Sequence, residues 1–339
     1  NRGALMAVDT TPSISRRGVV SGATALALAS KETKAQTPER RNSIIGHAIA
    51  TIGVPDVAAA QAMYEKAIGL YEVNRGNVSE QVATCWGAPA MQGRPWVMMR
   101  CESGDETFHI RIVQVDAVPG YRAMGTWGLN AIEMISQDVY AVNEKILSAG
   151  FEVIGEPRPL SKAFSSVHAM QMKGPGEEVF YFAGDISGEN EFGLIEARSQ
   201  VDRIFNAVVG TPNIRASRNF YHTVFGMNLG ALMKFKVRVV ADALGYSRER
   251  AIDIGSARGT RPGSSIEFDA YPVEHSGPRP RAKGQLPPGV SMISIETDDF
   301  DSLDVSYIDT PTVLYGGGRV ATFVGPAGEW VEVIEQEVT

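Results

Sequence analysis

Residues 54–73 read VPDVAAAQAMYEKAIGLYEV, and residues 211–230 read TPNIRASRNFYHTVFGMNLG. Each opens with Pro-Asx, runs through a helix-patterned stretch holding one tyrosine (Tyr64, Tyr221), stops at a glycine (Gly69, Gly226) and re-enters a strand-like run. An Asx side chain ahead of a helix accepts from the free N–H groups of its first turn, and a glycine just past the end takes the left-handed conformation that closes it. Both stretches follow a β-branched, small-residue run, over residues 43–54 and 201–211. The same order of strand, cap, helix and C-cap therefore occurs twice, as an internal duplication would produce.

Working outward, a second pair of strand-to-helix starts appears. Residues 129–136 lead through Gln137-Asp138 into a helix expected over 139–149, and residues 290–297 lead through Asp298-Asp299 into one expected over 300–305. Each half then ends on a similar turn and strand, GPGEEVFYF at 174–182 and GPAGEWVEV at 325–333. The expected fold is α+β, with four tandem βαβββ modules, two per domain, in curved mixed sheets. The first domain is placed at 43–184, a linker at 185–200 and the second domain at 201–339.

A chain of 339 residues with 44% apolar content has ample core for two such domains. Its net charge of −7 and lack of like-charge blocks argue against nucleic acid, which needs a basic footprint. No apolar run approaches the ~20 residues that span a bilayer, so no membrane contact is expected of the mature form. Residues 1–42 read as a leader: a tag remnant before Met6, then Ser15-Arg16-Arg17 and the apolar stretch GVVSGATALALAS at 18–30. This arrangement resembles a twin-arginine export signal, with cleavage before Gln36 or Thr37 and a periplasmic destination. Residues 1–36 carry five Lys/Arg and two Asp/Glu, so their removal takes the charge to −10. Cys85 and Cys101 read as buried thiols, with a disulfide as the alternative. The loop at 272–288, with Arg279, Arg281 and Lys283, reads as a surface excursion or mobile cover.

The Pro-Asx-helix-Tyr start and the Gly-Pro-x-Gly end resemble the vicinal oxygen chelate superfamily, which includes glyoxalase I, fosfomycin- and bleomycin-resistance proteins and extradiol dioxygenases. The resemblance covers residues 43–339. It implies that paired modules curl their sheet into a cup for a ligand or a divalent metal, whose ligands project from the first and last strand of each module, usually His and Glu. Carried onto this chain, His47 lies near the first of these positions, but Arg111 stands where an acid belongs, and Ala131 and Tyr181 fill the next two. In the second half Glu267 and Glu332 match, opposite Asn206 (or Ile204) and Met292. Neither half shows a complete metal set. A bound metal (Mn, Fe, Ni or Zn) would fall to His47, His109 and Glu133, or to Glu267 and Glu332; no cofactor is the preferred reading.

Strand alternation offers a different constellation in the first half. If Arg111 faces inward so does His109, and if Ala131 does so does Glu133. With His47 and Tyr181 these would form an acid–base site, in which a carboxylate and an imidazole exchange protons while Arg111 orients an anion. His168, Trp127 and Met170 join as substrate-binding candidates, and the Met and Trp content of this half suits either core packing or an aromatic ligand. The expected function is an exported enzyme doing proton-transfer chemistry (isomerase, lyase, or lactone or epoxide opening) on a small, partly apolar substrate. A metal-dependent dioxygenase or glyoxalase-like enzyme is the first alternative, and a periplasmic binding or sequestering protein the second. A homodimer is left open.

Overall fold

The computed structural model describes residues 41–161, 164–190, 194–315 and 317–336; the export-signal expectation at residues 1–40 lies outside them. Four modules are present. The first comprises β1 (Ile44–Val54), α1 (Val57–Ile68), β2 (Tyr71–Asn77), the short α2 (Glu80–Cys85), β3 (Pro95–Arg100) and β4 (His109–Gln114). In the second are β5 (Gly128–Ser136), α3 (Val139–Ala149), β6 (Glu152–Pro159), β7 (Val167–Lys173) and β8 (Val179–Asp185). The third has β9 (Val201–Thr211), α4 (Ile214–Phe225), β10 (Asn228–Leu229), β11 (Met233–Phe235), α5 (Arg238–Leu244), β12 (Ile252–Arg258) and β13 (Ser265–Ala270). The fourth has β14 (Gly289–Thr297), β15 (Thr312–Val313), β16 (Arg319–Val324) and β17 (Trp330–Glu335).

The helix starts follow the sequence signals. Asp56, Asp138 and Asn213 each accept a backbone N–H from the first turn of their helix, and Gly69, Gly150 and Gly226 sit at φ 69°, 90° and 67° beyond its end. The fourth module departs from the pattern, since residues 300–305 form only one 3-10 turn at Phe300–Ser302. No glycine closes a helix there. The chain instead turns back so that Ile308 N–H bonds the Thr322 carbonyl, and Tyr307 stacks on Phe300 at 5.7 Å.

The sheets join modules in an order the repeat does not announce. One sheet runs β15-β16-β17-β14-β1-β4-β3-β2 and the other β10-β12-β13-β9-β5-β8-β7-β6, with β11 also on β12. Module one thus pairs with module four, and module two with module three. Within each module the first strand pairs in parallel with the last, which leaves its other edge bare until a second first strand covers it. β1 covers β14 and β5 covers β9, both antiparallel. The expectation of one cup within 43–184 and another within 201–339 is corrected: each cup draws on both halves of the chain.

Modules of the same half meet on the other face. α1 packs on α3. Tyr64 of α1 donates to Glu178 at the head of β8, and Tyr221 of α4 donates to Glu329 at the head of β17 (2.9 Å). Those carboxyls also accept from the turns Gly174-Pro175-Gly176 and Gly325-Pro326-Ala327, through Gly176 N (2.7 Å) and Ala327 N (2.8 Å). The largest buried cluster draws on both sheets together with α1, α3 and α4, so the two halves share one core. The loop at 272–288 is clamped at Arg279, which donates to Thr126 Oγ1 (3.1 Å), the Val290 carbonyl (2.9 Å) and the Leu129 carbonyl. Cys85 and Cys101 are free, buried thiols, and burial raises the pKa of each. Among the described residues no helix is long and apolar enough to cross a membrane.

Burial pushes the Glu178 and Glu329 carboxyls up to about 7, against the Tyr and N–H donors that favour the ionised form. A carboxyl whose folded pKa is raised stabilises fully below its unfolded value, about 4, and that contribution fades as pH climbs through the folded value. Denaturation midpoints should therefore decline between about pH 4 and pH 7, and the Glu178→Gln/Glu329→Gln double variant should flatten that part of the urea-denaturation profile.

Candidate functional site

The centre of the cup between modules one and four is set by strand register. β1 and β4 bring Thr51 beside Arg111, β14 and β17 bring Ser294 beside Glu332, and the β1–β14 seam joins the two pairs. Arg111, 3% exposed, donates from Nε (3.0 Å) and Nη2 (2.8 Å) to Thr51 Oγ1, from Nη1 to the Tyr315 hydroxyl (2.8 Å) and from Nη2 to Glu332 (3.3 Å). Its guanidinium lies 4.6 Å from the centre of the Trp86 ring, a cation–π distance. Although burial works against the charge, the Tyr315 oxygen and the Glu332 carboxylate hold the Arg111 pKa above its ordinary value.

Glu332 is wholly buried and fully engaged. Oε1 accepts from Trp86 Nε1 (2.8 Å) and Tyr315 (2.8 Å), and Oε2 from Ser294 Oγ (2.6 Å) and Arg111. A carboxylate offers about four lone-pair sites, and all of them are used. The two last-strand positions at which the resemblance implies acids hold a guanidinium and a saturated carboxylate here. They do not fit a divalent cation.

Above this floor opens a cavity of about 690 Å³. Ile49, Val78, Val82, Trp86, Trp96 and Met98 supply apolar and aromatic wall, and Asn74, Asn77, Arg100, His109, Arg111 and Tyr315 supply polar groups. His109 is half-buried, and burial, followed by the Arg100 charge, lowers its pKa. Arg100 Nη2 lies 3.3 Å from His109 Nε2. A guanidinium only donates, so Nε2 is the acceptor and the imidazole proton sits on Nδ1.

The other candidates are elsewhere. His47, on β1, faces the second sheet, where Nε2 bonds the Ser265 carbonyl at 2.9 Å, and burial pulls its pKa down to about 4. It is a neutral imidazole between sheets. His168 bonds Tyr140 of α3 through Nδ1 (2.7 Å), and Met170 joins the core shared with the helices; both point away from the cups. Trp127 donates to Ser276 Oγ (2.8 Å) beside the second cup. Glu133 and Tyr181 lie inside that second cup, with Glu267, so the acid–base set of His47, His109, Glu133 and Tyr181 is not assembled. For the same reason neither the His47, His109, Glu133 set nor the Glu267, Glu332 pair converges. Among the described residues no three His, Cys, Asp or Glu side chains are arranged to hold a metal ion.

Among the described residues, the second cup is packed with apolar side chains. Met124, Leu160, Phe235 and the α5 side chains Val239, Val240 and Leu244 pack into it. At its base Asn206 Nδ2 donates to Glu133 (3.2 Å) and Glu267 (3.1 Å), placing an N–H where a cation would require an oxygen. Glu267 and Asp269 lie on the same face of β13. Burial above all raises both pKa values; Asp269 and Glu133 add to it at Glu267, and Glu133 adds to it at Asp269 against the hydrogen bond with Glu267, so the pair retains a proton near neutrality. Tyr181 donates to Met124 Sδ at 3.6 Å.

Sequence reading missed Arg100, Tyr315, Thr51 and Ser294, and met Trp86 only within the Met and Trp content that suits an aromatic ligand. Thr51 was within reach of strand alternation; Trp86 and Tyr315 come from loops whose path only the fold sets.

Solved structures with this architecture include glyoxalase I from Zea mays, 16% identical with a TM-score of 0.57 over 86% of this chain and 92% of that one. A putative dioxygenase from Bacillus subtilis is 13% identical, with a TM-score of 0.58 over 88% of this chain and 87% of that one. No protein-family model matches the sequence, and no curated protein does. The fold is the glyoxalase fold of paired βαβββ modules.

Removing one partner of a buried ion pair leaves the other charge uncompensated, at a cost of about 3–5 kcal/mol. Arg111→Met should lose stability of that order in urea denaturation at pH 7, and adding Glu332→Gln should restore a large part of it.

Proposed function

We propose that this chain binds a small, partly apolar or aromatic molecule in the cup between modules one and four, without a divalent metal in that cup. The observation that carries this is the buried Arg111–Glu332 pair at the cup's centre, where every lone pair of the carboxylate is already engaged. An open, largely apolar cavity with a few fixed polar groups is the usual form of a small-molecule site. A binding or sequestering role is supported further by His109, whose Nε2 lone pair is held by Arg100 and is not free to take a proton from a ligand.

Proton-transfer chemistry is the second reading, favoured by one feature. The Tyr315 hydroxyl borders the cavity, accepts from Arg111 and donates to Glu332, which is the arrangement of a proton carrier. In this reading solvent takes the ligand's proton, Tyr315 turns its O–H from Glu332 to hydrogen-bond the developing oxyanion and Arg111 steadies the charge, with Glu133 and His47 taking no part. Periplasmic placement, through Arg16 and Arg17, belongs to the same proposal, and Arg16→Lys/Arg17→Lys should retain the protein in the cytoplasmic fraction.

Aromatic ligands should quench the fluorescence of Trp86 and Trp96, and exhaustive chelation should leave their affinity unchanged. Loss of binding on chelation, restored by Mn, Ni or Zn, would overturn the reading. Exchange of a bound ligand's C–H for deuterium in heavy water, abolished by Tyr315→Phe, would promote the second reading over the first.

A further inference from the structure

Besides Arg111, three charged side chains line the cavity, Glu296, Arg100 and Glu106, and the neutralisation of these charges is unequal. Glu296 lines the wall and is paired with Arg261, both with side chains less than one-fifth exposed. Arg111 is committed to Glu332, Thr51 and Tyr315. Arg100, at the end of β3, has a different partner: a single contact of 3.2 Å to Glu106, whose side chain is 82% exposed while that of Arg100 is only 20% exposed. A solvent-swept carboxylate is a weak, salt-screened counter-charge and is readily displaced. The Arg100 Nε–H is buried and has no acceptor. Beside it stands neutral His109, whose Nδ1–H remains a donor because Nε2 is occupied by Arg100.

We infer that the ligand of this cup carries a carboxylate, or an anion of the same shape, that replaces Glu106 on Arg100 with the His109 imidazole alongside, its apolar body lying against Trp86, Trp96 and Met98. The inference rests on the binding role proposed above and narrows it to one ligand class. Arg100 presents a planar fork matched to a carboxylate, and two charge-assisted hydrogen bonds fix orientation as well as affinity. The chain as a whole is acidic, with net charge −7, so attraction of an anion must come from the cavity itself.

The test compares 2-naphthoate with 2-naphthamide, which share a ring system and differ in charge, by titration calorimetry on the full chain. The acid should bind at least tenfold more tightly than the amide, and 0.5 M NaCl should narrow the gap by weakening the acid alone. Arg100→Gln should close the gap, Arg100→Lys should keep part of it, and circular dichroism should show all variants folded. Equal affinity for acid and amide, or a preference that survives Arg100→Gln, overturns the anion assignment and leaves the cup as a binding site. Failure of both probes to bind overturns the binding role as well.

Discussion

Two antiparallel seams, β1 against β14 and β5 against β9, decide which side chains of this protein ever meet. Every module arrives with its first and last strands already paired in parallel and one edge of the first strand bare. The bare edge has to be covered, and whichever module covers it completes the cup. Here the outer modules of the chain cover each other, as do the inner ones. His109 and Arg111 consequently share a cup with Tyr315 and Glu332, more than two hundred residues away, while Glu133, close in sequence, belongs to the opposite sheet. The Tyr64–Glu178 and Tyr221–Glu329 ties hold neighbouring modules together from the helical side, which leaves the cup faces free for other use.

The two cups then diverge by what fills them. In the open one, a guanidinium occupies the centre and shares the acceptor positions of the facing carboxylate with Trp86, Tyr315 and Ser294. A positive charge held there by an ion pair, a phenol and a threonine hydroxyl offers an electrostatic environment that a metal would otherwise supply, but with directional N–H bonds instead of open coordination. Affinity for a ligand must come from the walls and rim. In the other cup, the insertion carrying α5 seals the space with aliphatic side chains above carboxyls that retain a proton. Sealing removes the water that would let those acids ionise, so the same position that is open and charged in one cup is closed and near-neutral in the other.

The sequence by itself determined the modules. Pro-Asx caps, closing glycines, the two tyrosines and the Gly-Pro turns are local signals, because a cap or a left-handed turn depends on residues within a few positions of one another. They placed three helices and the strand order within each module, while the inward positions of Arg111 and Glu267 were implied by the family resemblance. The fourth module's missing helix shows where that locality ends, since Tyr307 and Ile308 are drawn to Phe300 and Thr322 by contacts no helical pattern records. Only the tertiary structure decided which modules share a cup. The four first strands present equivalent bare edges and similarly apolar sequences, so their pairing is settled by loop paths and helix packing. His47 therefore reads as a cup residue in the sequence and lies between two sheets in the fold, and Glu332 reads as a metal ligand until Arg111, from the other end of the chain, is seen bound to it.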